Sequence, residues 1–274
     1  MTAGPRRRFQ SEWLPAITTC LLALLALGNY LVASRAHARG FVAATVPAPA
    51  VAPLPDGRLG ASIRLGQELV HATPQLAGAY VGNALSCADC HLRDGQQRDA
   101  APFAGLSGEF PAWNRRAGRV IPLAERIDEC FVRSENGTPL PPLGRRMTAL
   151  LAYVAWLSRG VPAGDRVIGR GFPPLPPPAR RPSALAGSAL YRLRCAACHG
   201  SGGAGDPPSI PPLWGAQAYN QGAGMNQVRT LAAFVRRFMP LGRAGSLSPQ
   251  QAYDLAAYVH AHPHPALNPK YARY

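Results

Sequence analysis

Apolar side chains recur every three to four positions in two separate parts of the chain, at 151–157 and 255–259. The first segment reads Leu-Ala-Tyr-Val-Ala-Trp-Leu and the second reads Leu-Ala-Ala-Tyr-Val. This spacing places the apolar side chains on one face of a helix. Each segment therefore predicts a helix that closes one half of the molecule.

A longer apolar run stands near the N-terminus, where the stretch from Trp13 to Ser34 is uncharged and follows Arg6, Arg7 and Arg8. A positive start followed by an apolar run is typical of an export signal, and about 20 such residues also span a bilayer. Ala36-His37-Ala38 resembles a cleavage site. We expect residues 1–38 to be a signal peptide or a membrane anchor. Either one places the protein in the periplasm, soluble or anchored to the inner membrane.

In the rest of the chain, two segments are rich in proline. Residues 39–56 are rich in Ala and Pro, and a second Pro-rich break covers 171–182. Both compositions are typical of linkers. They predict two domains, at 57–170 and 183–274.

Each predicted domain contains one Cys-x-x-Cys-His motif. The motifs are Cys87, Cys90 and His91 in the first domain, and Cys195, Cys198 and His199 in the second. This motif attaches a c-type haem: both thiols form thioethers, and the histidine binds the iron. Thioredoxin-like or zinc-binding motifs are the alternatives, but the chain lacks a βαβ pattern and a further zinc ligand set. We therefore predict a mainly α fold of two tandem cytochrome c-type domains, each with one covalent haem c (haem 1 and haem 2).

The two domains read as copies of one unit. Cys195 lies 108 positions after Cys87, and Tyr258 lies 105 positions after Tyr153. Two landmarks that shift by nearly the same amount indicate a duplicated domain. Each copy then consists of an opening helix, the haem motif, long loops and a closing helix.

The sixth ligand of haem 2 is predicted to be Met239, which precedes Pro240-Leu241-Gly242 and the closing helix. Small cytochromes c place an axial thioether in such a loop. Met225 is the alternative ligand, and a core position is the structural alternative for Met239. A haem with Met and His ligands has a raised potential and suits electron transfer.

One cysteine has no assigned task. Of the six cysteines, four belong to the haem motifs and Cys20 lies in the export segment, which leaves Cys130. An unpaired cysteine in an oxidising compartment is a liability unless it is buried or used. It is therefore either an inert core residue or a functional one.

The repeat favours the functional interpretation. Met239 lies 19 positions before Tyr258, and the same count back from Tyr153 ends four residues after Cys130. Met147 lies only six positions before Tyr153, so it belongs to the closing helix. We expect His91 and Cys130, rather than His91 and Met147, to bind the iron of haem 1.

The surroundings of Cys130 favour a catalyst over a simple carrier. The segment 122–134 predicts a helix, and on a helix Cys130 shares a face with Arg126 and with Arg133 or Ser134. Arginines beside a thiolate form an anion pocket. The formal charge of +15, carried almost entirely by arginine, also suits an anionic substrate or an acidic partner. We expect no nucleic-acid partner, because no recognition module is present.

Five histidines lie outside the haem motifs, and one of them, His37, belongs to the export segment. His71 is expected on the surface of the opening helix, and His260, His262 and His264 are expected to form a solvated C-terminal end rather than a metal site.

The chain resembles the di-haem thiosulfate dehydrogenases (tetrathionate synthases) and, more distantly, the cysteine-ligated haem subunits of sulfur-oxidising complexes. The resemblance covers nearly all of 60–265. It rests on Val81–Cys87, on the block Cys-Phe-x-Arg-Ser-x-Asn-Gly-x-Pro-Leu-Pro at 130–141, on Gly222–Met225 and on Met239–Gly242. The block at 130–141 is specific, whereas the haem motifs are not.

The resemblance implies that two thiosulfates couple to tetrathionate and that two electrons leave. It implies that Cys130 is the active-site haem ligand, that Arg116 and Arg126 bind substrate, and that Ser134 lines the same pocket. Some members of the family carry a lysine just before the Met239 position, where this chain has Phe238.

The resemblance further implies that haem 2, bound by His199 and Met239, passes electrons to an external acceptor such as a small cytochrome c. Three alternatives stay open. The chain could be a non-catalytic di-haem electron-transfer subunit of a respiratory or dehydrogenase complex. It could reduce tetrathionate, or it could act on another sulfur anion such as sulfite or a polysulfide.

Overall fold

The computed structural model describes residues 44–274. Within that range, six helices have eleven or more residues: α1 (Gly57–His71), α2 (Leu123–Arg133), α3 (Arg145–Leu157), α4 (Ala184–Arg194), α5 (Val228–Phe238) and α6 (Pro249–His260). Shorter helical segments are Thr73–Ala77, Leu92–Gly95, Leu106–Glu109 and Ala196–His199, with 3₁₀ turns at Gly78–Tyr80, Cys87–Asp89, Gly224–Asn226 and Pro269–Tyr271. The strands are β1 (Thr45–Val46), β2 (Ala112–Asn114), β3 (Arg119–Ile121) and β4 (Arg166–Val167).

The opening and closing helices cross in the same way in both halves. Helix α1 packs on α3 in the first half, and α4 packs on α6 in the second. At each crossing a glycine allows close approach: a Cβ at Gly66 would lie 2.2 Å from the Ala149 carbonyl oxygen, and one at Gly187 would lie 2.0 Å from that of Asp254. The duplication inferred from the sequence is therefore visible in the packing.

Each half has its own apolar core. Tyr153 and Met147 of α3 are fully buried in the first core, and Tyr191 of α4 is buried in the second. Helix α6 begins with a capping box in which Ser248 and Gln251 each bond the other's backbone N–H, an arrangement that fixes a helix start. Met147 thus packs in the closing helix, as expected.

Both Pro-rich segments lie against the domains. In the first, β1 pairs in parallel with β4, with Thr45 opposite Arg166. In the second, the ring of Phe172 meets that of Phe234 edge-on at 5.7 Å. These contacts hold residues 166–172, which we call the strap, against the packed halves, although composition alone predicts linkers at 39–56 and 171–182.

The C-terminal histidines do not form the solvated end that the sequence suggested. The ring of His262 stacks on Trp214 at 4.0 Å, and that of His264 stacks on Tyr219 at 4.6 Å. The chain after α6 turns back along the second half, since Gly215 N–H donates to the Pro263 carbonyl at 2.8 Å. His71 is exposed, as expected.

Within residues 44–274, no helix has the length and apolar character needed to cross a membrane. The export or anchor segment predicted from the sequence lies outside the described residues.

Candidate functional site

A cavity of about 680 Å³ in the first half is lined by Cys87, Cys90, His91 and Cys130. Its other lining residues are mostly apolar and include Val70, Leu85, Phe103, Phe110, Ile127, Leu150 and Val154. Cofactor sites of roughly 300–1,000 Å³ have this mixture of apolar walls and a few polar groups. The structure therefore brings together the four residues that the sequence assigned to haem 1.

The histidines of the two haem motifs are oriented alike. The Nδ1 atom of His91 lies 2.7 Å from the Ala101 carbonyl oxygen, and that of His199 lies 3.0 Å from the Pro211 carbonyl oxygen. A ring that donates through Nδ1 presents Nε2 as the free ligand atom, which is the usual arrangement of a metal-binding histidine. Burial lowers the pKa of His91 to about 4, so the imidazole is neutral as ligation requires.

The thiols of both motifs are available for attachment. All five cysteines within residues 44–274 are free, and Cys87, Cys90 and Cys195 are half-buried while Cys198 is exposed. Each half thus offers two thiols and one oriented imidazole on a single turn of chain. The residues present fit a covalently attached haem c.

Helix α2 positions the predicted active-site residues. Arg126 lies one turn before Cys130, and its Nη1 donates to the Cys130 sulfur at 3.4 Å. Ser134 follows one turn later, and Arg126, Cys130 and Ser134 all line the cavity. The nearby Cys130 sulfur is the main cause that raises the pKa of the Arg126 guanidinium. The helical spacing inferred from the sequence therefore produces one polar stripe in an apolar cavity.

Two other arginines near α2 do not join this stripe. Arg116 is exposed in the turn between β2 and β3, where its backbone N–H donates to the Asn114 side chain at 2.8 Å, and it does not line the cavity. Arg133 is buried and points to the second half instead. The substrate-binding role assigned to Arg116 stays a prediction that this arrangement does not support.

Three charged residues that sequence reasoning passed over also line the cavity: Glu135, Arg166 and Arg170. Glu135 is 1% exposed, and its Oε2 has no partner. Burial raises the pKa of this carboxyl well above its usual range. Arg170 pairs with Glu109. The only sequence signal for the two arginines was their place just before the Pro-rich break.

The second half holds the C-terminal end of α2. The side-chain amide of Asn220 donates to the Val132 carbonyl at 2.8 Å and to Asn136 at 3.1 Å. Arg133 donates to backbone carbonyls of the C-terminal tail, among them that of Tyr274 at 3.2 Å. The helix that carries Cys130 is therefore fixed by contacts from both halves.

The two candidate methionines of the second half occupy different places. Met225 is 8% exposed in the core, and its carbonyl accepts from His260 Nε2 at 2.9 Å. Met239 is half-buried and directly follows α5. A core packing role accounts for Met225, so Met239 stays the favoured ligand.

Two family models match separate parts of this chain. The family model "SoxA/TsdA, cytochrome c domain" matches residues 79–163, and the model "cytochrome c oxidase, cbb3-type, subunit III" matches 182–259. The thiosulfate dehydrogenase of Allochromatium vinosum is 45% identical over 251 residues, which cover 88% of this chain and 91% of the relative. That of Stutzerimonas stutzeri is 38% identical over 77% of this chain and 70% of its own length.

This chain belongs to the thiosulfate dehydrogenase family. The family resemblance and the fold of two cytochrome c domains predicted from the sequence are thereby confirmed, and the chain is an enzyme, an oxidoreductase of cytochrome c type. A solved structure, thiosulfate dehydrogenase (TsdBA) from Marichromatium purpuratum in its "as isolated" form, is 40% identical with a TM-score of 0.76. The match covers 82% of this chain and half of that longer chain. The two cytochrome c domains imply haem c binding.

Proposed function

We propose that this enzyme oxidises two thiosulfates to tetrathionate at Cys130 and passes the electrons through a second haem to an external acceptor. The observation that carries the proposal is the stripe of Arg126, Cys130 and Ser134, which lines the same cavity as His91. A simple electron carrier does not need an arginine that donates a hydrogen bond to a cysteine sulfur in the haem cavity, as Arg126 does to Cys130.

In this proposal His91 and Cys130 bind the iron of haem 1, while His199 and Met239 bind that of haem 2. The thioethers form at Cys87 and Cys90 in the first half, and at Cys195 and Cys198 in the second. When bound, each haem supplies an iron that takes up and releases one electron at a time.

The charge of the substrate explains the arginines. Two dianions whose charges lie about 4 Å apart repel by roughly 16 kcal/mol at an effective dielectric constant of about 20. Arg126 donates toward the sulfur of Cys130, and Arg166 lines the same cavity. We infer that these guanidiniums offset the repulsion and that the Ser134 hydroxyl, which lines the same cavity, donates to a sulfonate oxygen.

The reaction balances without a proton. The terminal sulfurs of two thiosulfates (S₂O₃²⁻) join in one S–S bond, which gives S₄O₆²⁻ and releases two electrons. In the proposed sequence, the Cys130 thiolate and the terminal sulfur of one thiosulfate form an S–S bond as two electrons leave. The terminal sulfur of the second thiosulfate then attacks the bound sulfur, which breaks the bond to Cys130, restores its thiolate and gives tetrathionate. Arg126 holds the charge of the sulfonate groups.

A small cytochrome c outside this chain is the proposed electron acceptor. The proposed compartment is the periplasm, because residues 1–38 have the pattern of an export signal. The same residues would serve tetrathionate reduction if the external cytochrome had a low enough redox potential to donate electrons to this enzyme.

A single mixing experiment tests the function. Purified, fully oxidised protein is mixed with thiosulfate while the haem absorption bands and tetrathionate are followed. We expect the bands of the reduced haem to appear together with tetrathionate, at about half a mole of tetrathionate per mole of haem reduced. Protein that stays oxidised under thiosulfate excess would instead identify a carrier. Reduction by sulfite or a polysulfide but not by thiosulfate would assign another sulfur anion to the site.

A further inference from the structure

The carbonyl that orients His91 belongs to a loop with an unfavourable backbone conformation. Asp99 has a φ of 68° and Ala101 a φ of 49°. Residues with a Cβ seldom adopt this left-handed region, and alanine has no polar side chain to compensate for it. The Ala101 carbonyl therefore reaches His91 only because other contacts hold the loop.

Besides the local pairing of Arg98 with Asp99 at 3.8 Å, two sets of contacts from outside the loop hold it. Backbone bonds come from the strap, since Asp99 N–H donates to the Gly169 carbonyl at 2.8 Å and Ala101 N–H donates to that of Gly171 at 3.0 Å. A charged contact comes from the second half, where Arg237 donates to one carboxylate oxygen of Asp99 through Nε at 3.0 Å and Nη2 at 2.8 Å.

The ion pair between Asp99 and Arg237 connects the two halves close to both proposed haem sites. Arg237 stands in the last turn of α5, two residues before Met239. The pair therefore joins the loop that orients the histidine of haem 1 to the segment that carries the favoured ligand of haem 2.

The corresponding loop of the second half is held differently. The Pro211 carbonyl accepts from His199 in a loop whose backbone bonds stay in its own half, such as Leu213 N–H to the Gly203 carbonyl at 2.8 Å. Its left-handed positions are glycines, at Gly203 and Gly205. That loop contains the residue type its conformation favours, whereas the first loop depends on an anchor.

We propose that Asp99 and Arg237 are positioning residues for haem 1, by which the second half fixes the hydrogen bond between Ala101 and His91. The inference rests on the proposed function, in which His91 binds haem 1. A carbonyl held against Nδ1 sets the ring orientation and makes the imidazole a stronger electron donor to the iron. Loosening the anchor weakens that donation and favours the reduced iron.

The neighbouring arginine supplies a matched control. Arg236 lies on the same turn of α5, but its Nη1 donates to the Gly245 carbonyl at 2.6 Å within the second half. Arg237→Ala and Arg236→Ala each remove one positive charge from the same helix end. Both variants are purified with their haems, and the EPR spectrum of the ferric protein and the midpoint potential of each haem are recorded.

We expect Arg237→Ala to broaden the EPR signal of haem 1 and to raise its potential relative to Arg236→Ala. The double variant Asp99→Asn, Arg237→Ala should change the haem 1 signal no further than Arg237→Ala alone, because asparagine tolerates the left-handed conformation and the anchor is already lost. Equal haem 1 signals and potentials in the two single variants would overturn the proposal, as would additive effects in the double variant.

Three outcomes separate the positioning role from the proposed function and from an effect through Phe238. The Arg237 guanidinium also lies 5.6 Å from the ring centre of Phe238, so a change confined to haem 2 would show that Arg237 acts through Phe238 and would overturn the positioning role. Wild-type protein that lacks a thiolate-ligated haem 1 signal would remove the proposed function. A wild-type thiolate signal with identical single variants would remove the positioning role alone.

Discussion

The two halves share one plan, with crossed opening and closing helices, one haem motif and one oriented histidine, but they differ in what they bury. Nine of the eleven buried polar or charged side chains among residues 44–274 lie in the first half. Burying such groups costs free energy unless they are bonded. Proteins accept that cost mainly at functional sites, so the difference supports our proposal that the first half carries out catalysis and the second transfers electrons.

Helices α2 and α5 show the contrast most directly. Helix α2 buries Asp128, Glu129 and Arg133 beside its apolar residues, and Cys130 lies within it. The buried residues of α5 are Leu231, Ala232, Ala233 and Phe234, and the helix ends immediately before Met239. In one half the proposed sulfur ligand, Cys130, lies on a helix with buried charged residues, and in the other the proposed ligand, Met239, follows a helix whose buried residues are apolar.

The largest expected effect comes from giving the first half the ligand type of the second. Cys130→Met should abolish thiosulfate oxidation, by at least ~10³-fold, because a thioether cannot serve as the reacting sulfur. Haem 1 should stay attached, since its thioethers and His91 are unchanged, and its potential should rise as a Met/His site. Activity assays, EPR and redox titration measure the three outcomes.

Cys130→Ser is the companion variant, with nearly unchanged volume. It too should lose the thiolate EPR signal and the activity. If either variant oxidised thiosulfate at more than a tenth of the wild-type rate, the first half would not owe its chemistry to Cys130, and the contrast between the halves would lose its basis.

The next largest effect concerns the cation beside the sulfur. Arg126→Ala should lower kcat/KM for thiosulfate by roughly 10²–10³-fold, the usual cost of removing one preorganised donor from a developing charge. Both haems should remain. Arg126→Lys should recover only part of the rate, because an ammonium lacks the planar fork of donors.

Arg119→Ala is the matched control for that variant. Arg119 bonds Glu125 on the same helix α2 but does not line the cavity. Equal losses in Arg126→Ala and Arg119→Ala would show that the general charge of the region, rather than one directed guanidinium, serves the reaction.

A smaller and more selective effect is expected in the second half. Met239→Ala should lower the potential of haem 2 and slow steady-state turnover, while the first reduction of haem 1 by thiosulfate keeps its rate. Met225→Ala should leave the haem 2 spectrum unchanged and lower the free energy of unfolding by about 2–5 kcal/mol, because a buried methionine leaves a cavity. The opposite pattern in the two variants would make Met225 the ligand.

Local signals in the sequence predicted the parts of the site that lie close together along the chain. The haem motifs, the closing helices, and the Arg126, Cys130 and Ser134 face of α2 all follow from spacings of a few residues. The hairpin turn that carries Arg116 away from the cavity, and the strap that brings Arg166 and Arg170 into it, depend on tertiary packing. No short-range pattern encodes those contacts.

The C-terminal histidines also depend on contacts with residues that are distant in the sequence. A run rich in His and Pro after the last helix resembles a solvated tail, yet aromatic partners at Trp214 and Tyr219 hold the rings against the second half. Those partners lie more than 40 positions earlier in the chain. Distant pairings of this kind cannot be inferred from one sequence.

The smallest expected effect tests whether the catalytic half needs the other half for its geometry. Asn220 is 1% exposed and bonds the Val132 carbonyl and Asn136 at the end of α2. Asn220→Ala leaves these buried acceptors without that donor, which costs about 1–3 kcal/mol in the free energy of unfolding. Because Cys130 lies less than one turn earlier, the thiolate signal of haem 1 should broaden while the spectrum of haem 2 stays unchanged. Asn226→Ala is the matched control, because it removes one exposed hydrogen bond to the Gln221 carbonyl. It should leave both the free energy of unfolding and the haem 1 signal unaltered. If the two variants behaved alike, the second half would be a separate electron carrier rather than part of the active-site scaffold.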